Sequence, residues 1–267
     1  MRPMIDVDFN AVVPADQSLG WIEQSDDEML MAAGDIGSFE SEYPQLMVPK
    51  SERKERALAN KDKWRRTIRN IVSQGRTSAC VGFGSSQALE TTLTRRSGQY
   101  TQLSGMSVYK EIGRSLMSGA YIPDGMNQIV EVGALPLDTD ENRERFDLVW
   151  GITDWSKRFP AGWEKQANEF RVSKWATARG EDEIESALIN GFCGIVGRSR
   201  HCVPYVYLDF DGNSPMACYA NSWSANWGDD GFGYDSSRTY RNLTLYLVLE
   251  VVVPSFLNDE IPSFAFP

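Results

Sequence analysis

Helical signals in the first half of the chain and strand signals in the second predict an α+β protein with segregated halves. Between residues 80 and 132, apolar residues recur at mixed three- and four-residue spacings, bounded by capping residues. Beyond residue 190 come short, β-branched runs separated by turn chemistry, above all Asp211-Gly212-Asn213. At 267 residues the chain is long enough to bury a substantial core.

The elements follow in order. Residues 1–70 hold no strong period and read as an extended or irregular arm, acidic and then basic. The stretch VGFGSSQALETTLTRR after Cys80 sets Phe83, Ala88, Leu89 and Leu93 as a central helix would. Ser104 is placed to cap a second helix through Met106, Tyr109, Ile112 and Leu116. A third fits residues 123–132, with proline at its start and Gly133 stopping it. Residues 135–179 are polar and tryptophan-bearing and read as a connection. A short helix over 181–190 then ends at Gly191, and strands follow at 194–197, 202–210, 216–221 and 243–253. The expected organisation is an arm (1–70), a helical lobe (71–150) and a β-rich lobe (151–267).

Composition narrows the function. Hydrophobic and charged shares of 42% and 24% are ordinary for a soluble globular protein. A net charge of −10 argues against a nucleic-acid partner, because phosphate binding needs a basic surface. No apolar run reaches the ~20 residues of a membrane helix, and the opening MRPMIDVDFN has no leader-like apolar stretch. The four cysteines show no paired spacing and no zinc-like pattern with the single histidine, so no metal, no cofactor and a reducing, cytoplasmic setting are expected. Charge is unevenly placed. The chain before Lys50 is acidic, whereas Lys50, Arg53, Lys54, Arg56, Lys61, Lys63, Arg65, Arg66 and Arg69 form a basic run. That run reads as a solvated helix, or as an arm pairing with the acidic segment. The acidic arm is also a candidate surface for a protein partner.

A thiol nucleophile needs a base, a group to orient that base and donors for an oxyanion. With one histidine, the base is His201. It begins the strand HCVPYVYLDFDG, and the following strand runs into NSWSANWGDDGFGY; antiparallel pairing would set His201 beside Asn221. Cys80 opens the central helix, whose N-terminal dipole and free N–H groups favour a thiolate. Gln74 stands just upstream. A buried cysteine is ordinarily a small core hydrophobe, and Cys193, Cys202 and Cys218, in strand-like runs, are read that way. The string Asp138-Thr139-Asp140-Glu141-Asn142 lacks the glycine and closing glutamate of a calcium loop.

Taken together, Gln74-Gly75, Cys80 and Phe83, His201 before a valine-rich strand, Asn221-Ser222-Trp223, Trp227-Gly228 and Gly231-Phe232 resemble the papain-like (C1) cysteine peptidases. The resemblance spans about residues 74–234. It implies a two-lobed fold, a helical lobe facing an antiparallel β lobe. It further implies Cys80 as nucleophile, His201 as proton shuttle, Asn221 as orienter, Gln74 beside the Cys80 amide as oxyanion donor, Trp223 as shield, and Gly119 and Ala120 as backbone presented to an extended peptide. A peptide or protein is the implied substrate. The same triad also serves acyl transfer or deamidation, and a dormant site would leave a structural or binding protein. The chain departs from the pattern at Thr77, at Val81 and at Arg200, whose charge beside His201 would disfavour the imidazolium. The stretch before His201 is short, which suggests a trimmed bacterial or bacteriophage form. No family-type propeptide is legible, so the chain is expected to be made active or controlled otherwise.

Overall fold

The computed structural model describes residues 5–23, 36–146, 155, 156, 158, 159 and 161–260. The fold is α+β, papain-like, with the helical lobe packed on an antiparallel sheet.

The sheet is six-stranded, in the order β1-β6-β2-β3-β4-β5, with every neighbouring pair antiparallel. Its strands are β1 (Val172–Arg179), β2 (Cys193–Arg198), β3 (His201–Asp211), β4 (Ser214–Ala220), β5 (Phe232–Ser236) and β6 (Thr244–Val251). Both faces are buried, which is why the central strands read as nearly continuous apolar runs. Cys193, Ile195, Cys202, Val206, Tyr246 and Val248 face one core. Their neighbours Val196, Val203, Tyr205, Leu245, Leu247 and Leu249 face another. Period-two alternation thereby decides the site: Cys202 turns toward the helical lobe, and His201 belongs to the opposite face.

The helical lobe is built on α4 (Cys80–Ser97), preceded in the chain by α1 (Phe9–Val12), α2 (Phe39–Glu42) and α3 (Lys50–Arg65). Buried residues lie all round α4, as in a helix at the centre of a domain. It ends where Gly98 takes up the left-handed conformation, φ 73°, and its N–H closes on the Thr94 carbonyl. Helix α5 (Gly105–Ile112) starts with Ser104 Oγ accepting from Ser107 N at 3.0 Å, and α6 (Ile122–Glu131) carries proline in its first turn. Beyond them come α7 (Asp140–Phe146), α8 (Trp163–Asn168), α9 (Gly180–Ile189) and α10 (Ser237–Tyr240).

Three regions differ from the sequence expectation. The stretch read as a connection contains α7, α8 and the edge strand β1. The arm contains α3, which lies on the β lobe through Ala57, Trp64 and a buried Arg53. Its basic residues pair with acids of the β-lobe segments: Arg53 with Asp182 and Glu185 at 2.8 and 3.1 Å, and Lys61 with Asp209 at 3.1 Å. Finally, residues 5–22 do not stand off from the domain; they lie against both lobes.

Candidate active site

Two strand ends build the first wall. His201 opens β3, and Asn221 follows the last residue of β4, so antiparallel pairing brings them together. His201 Nε2 lies 2.8 Å from Asn221 Oδ1, and both side chains are fully buried. An amide oxygen only accepts, so this bond places the ring proton on Nε2 and leaves the Nδ1 lone pair available. Nδ1 has no hydrogen-bond partner among the described residues. The Trp223 ring stacks on the imidazole at 4.5 Å and 24°. Burial drives the His201 pKa down to about 4; the Asn221 bond resists the fall and the charge of Arg198 adds to it. The cation acting on His201 is therefore Arg198. Arg200, expected from the sequence to play that part, is exposed.

The second wall is the start of α4. Cys80 is its first residue, with a fully buried thiol. Burial pushes that thiol up to about 12, against the pull of the backbone amides of Cys202, Gly20, Val81 and Cys80 itself. No hydrogen bond joins Cys80 to His201. Gln74 is fixed from several sides. Ser222 Oγ donates to its Oε1 at 2.6 Å, and its Nε2 donates to the carbonyls of Thr77 and Ser18 at 2.8 and 2.9 Å. The loop before Cys80 is also zipped to the asparagine block: Gln74 N donates to Ser222 O, and Ser224 N to Val72 O. Position of the glutamine and position of the asparagine are thus set by one ladder.

Between the walls runs the chain's own N-terminal segment. Gly20 N and Trp21 N both donate to the Arg200 carbonyl, at 3.1 and 3.0 Å. Ala120 N donates to Gly20 O, and Ile22 N to Ala120 O, at 2.9 and 3.0 Å, a parallel bridge centred on Trp21. The approach is close enough to demand glycine twice. A Cβ on Gly20 would stand 1.9 Å from Ser78 O, and one on Gly197 would stand 2.3 Å from the Trp21 ring. Upstream, Phe9 is fully buried, edge-on to His201 at 4.7 Å and to Trp223 at 5.4 Å, with the Arg198 guanidinium over its ring at 4.8 Å. Asp6 anchors this strap, accepting from Ser236 N at 2.9 Å and from Ser236 Oγ and Thr239 Oγ1 at 2.6 Å each.

His201, Asn221 and Trp223 form one cluster; Cys80 opens α4, with Gln74 in the loop before it; and Ala120 offers both its N–H and its carbonyl to residues 20–22. That the extended segment is residues 18–22 was not anticipated. Sequence reasoning also missed Ser222 as the holder of Gln74, and Phe9. The local signal was Leu19-Gly20-Trp21-Ile22, a short apolar run with glycine in it.

A central helix with cysteine at its N-terminus, packed on an antiparallel sheet whose strand ends carry a bonded histidine–asparagine pair, is the papain-like architecture. Solved structures with this fold include a recombinant stem bromelain precursor, at 15% identity, TM-score 0.58, covering 91% of this chain and 86% of that one. Xylellain, a cysteine protease from Xylella fastidiosa, is similar at 16% identity and TM-score 0.57, over 90% of this chain and 99% of that one. Digestive procathepsin L 3 of the Tenebrio molitor larval midgut aligns at 14% identity and TM-score 0.56, over 70% and 68%. No protein-family model matches the chain, and no curated protein sequence does.

Proposed function

We propose that this chain is a cysteine peptidase whose site is closed by its own N-terminal segment. The reading is supported above all by the 2.8 Å His201–Asn221 bond, which leaves Nδ1 unpartnered and able to accept a proton. In the open site, Nδ1 takes the proton of Cys80 Sγ as sulfur attacks a peptide carbonyl. The Cys80 N–H and Gln74 Nε2 hold the oxyanion, and the histidinium returns the proton to the departing amine. Water then cleaves the thioester by the same route reversed. In the closed site Ser18 O occupies Gln74 Nε2, and both members of the proton-transfer pair are held neutral. The arm therefore takes the role of an inhibitory segment, in place of the control by other means expected from the sequence. Four free thiols suit a reducing compartment such as the cytoplasm.

The missing Cys80–His201 bond favours a second reading, a papain-fold binding protein with a dormant site. Labelling with an epoxide thiol probe separates the two. Gly20→Val forces a side chain onto Ser78 O and opens the segment. Stoichiometric labelling at Cys80 in that variant, lost on adding His201→Ala, is expected of the peptidase. Labelling no faster than that of free cysteine would favour the dormant site. Product analysis with peptides in water and with added amines then divides hydrolysis from acyl transfer.

A further inference from the structure

At the far end of α4, about 27 Å from Cys80 by helix rise, lies a cavity of ≈ 290 Å³ lined by Lys63, Trp64, Arg66, Arg69, Arg95 and Gly98, with Thr67 and Thr94. Four of these residues are cationic and none is acidic, in a chain of net charge −10. Arg95 is the unusual member. It is only 3% exposed, and its guanidinium donates to neutral oxygens alone: Thr67 Oγ1, Gly191 O, Trp64 O and Val206 O, at 2.7–3.4 Å. No carboxylate of the described residues acts on it, and burial pulls its pKa down to about 10. A buried cation without a counter-charge is costly, and native proteins ordinarily pair it. The neighbouring cations add to the same field. Arg66 and Arg69 are exposed, and their side chains have no hydrogen-bond or ion-pair partner among the described residues, unlike Arg53, Arg56 and Lys61 of the same basic run. Trp64 is not a stacking platform: it is 7% exposed, with Lys63 Nζ at 4.3 Å and the Arg95 guanidinium at 5.0 Å from its ring. What the cavity lacks is negative charge.

We propose that this cavity binds a small phosphate-bearing anion, with Arg66 and Arg69 as the hydrogen-bonding clamp and the buried Arg95 as the charge beneath it. Arginine suits the task because its planar fork matches phosphate oxygens. The site is separate from the cysteine and histidine walls and does not depend on their being active.

The test is calorimetric titration of the full chain with inorganic tripolyphosphate at constant ionic strength. Saturable one-to-one binding is expected, weakened at least tenfold in Arg66→Ser/Arg69→Ser. The charge-matched control Arg114→Ser/Arg238→Ser, which removes two exposed arginines elsewhere, is expected to bind as the unmodified chain does. Circular dichroism melting confirms that each variant is folded. Three results overturn the proposal: no saturable binding at millimolar tripolyphosphate, equal weakening in the control, or binding only to polymeric polyanions such as heparin or RNA.

Discussion

The two walls of the site are in different states of readiness. On the sheet side, histidine, asparagine and tryptophan are already bonded and stacked, while Phe9 of the N-terminal segment packs edge-on to the imidazole and burial holds its pKa near 4. On the helix side, the thiol is buried and protonated, and the glutamine donor is spent on Ser18 O. What separates them is the origin of their order. Strand pairing within the domain organises the sheet wall, whereas the donor of the helix wall is shared between the domain's Thr77 and the N-terminal segment's Ser18. On the proposed reading, closure holds groups of both walls neutral, and the helix wall carries the sulfur.

Several substitutions break or sharpen that contrast. The largest effect is expected from Cys80→Ser or His201→Ala in the opened Gly20→Val background, a loss of peptide cleavage of about 10⁴-fold or more, read as kcat/KM. Gln74→Ala should act in two directions at once. It removes an oxyanion donor and slows cleavage by about 10²–10³-fold, yet it frees Ser18 O and speeds probe labelling of Cys80 in the otherwise unmodified chain. If labelling and cleavage fall together, Ser18 is not a latch. Gly20→Val alone should raise the Cys80 labelling rate by roughly 10–100-fold, since overpacking costs about 1–3 kcal/mol and each 1.4 kcal/mol is tenfold.

The next effect is pH-dependent. His201 is held near 4 when buried and returns toward about 6.5 when exposed. The open form therefore binds more protons between those values, and closure weakens as pH falls through the window, by at most about tenfold per unit. Below pH 4 the effect levels off. Asp6 adds to it from the acid side: burial raises its pKa, but the bonds from Ser236 and Thr239 outweigh this and hold it low, so the anchor is lost only as the carboxylate protonates. Hydrogen exchange at Gly20, Trp21 and Ile22, corrected for intrinsic rates, should lose protection from pH 6.5 to 4; constant protection would detach His201 from closure. The smallest effect is expected from Ser222→Ala in the opened protein, about a fivefold loss in kcat, the worth of one hydrogen bond that aims Gln74.

How much of this could be read from letters divides along the same line. The sheet wall was legible because a lone histidine and the Asn-Ser-Trp block lie on strands whose pairing is local and whose apolar runs are long. Strands β1 and β5 were not, one being a half-exposed edge with Lys174 and Thr177 among its apolar residues, the other only FGYDS. Helix α3 was ambiguous because KSERKERALANKDKWR has almost no apolar stripe; it docks by Ala57, Trp64 and ion pairs to distant acids. The strap was illegible for a deeper reason. Residues 18–22 make no regular structure of their own, and their shape is imposed by Arg200, Ala120 and Ser78, partners 58 to 180 residues away in a chain that gives no periodic hint of them.

The position of the two sheet edges gives the N-terminal region a further consequence. Strand β5 ends the sheet on one side, and there Ile5 bridges Tyr234 while Asp6 N donates to the Tyr234 carbonyl. Strand β1 ends it on the other, and there Ser38 bridges Thr177, whose N–H is taken by Gly37 O. An uncovered edge strand is a template for pairing with another chain. The region proposed to close the site thus also covers both edges along which copies of the molecule could add to one another. Shedding it would trade colloidal safety for access to the thiol.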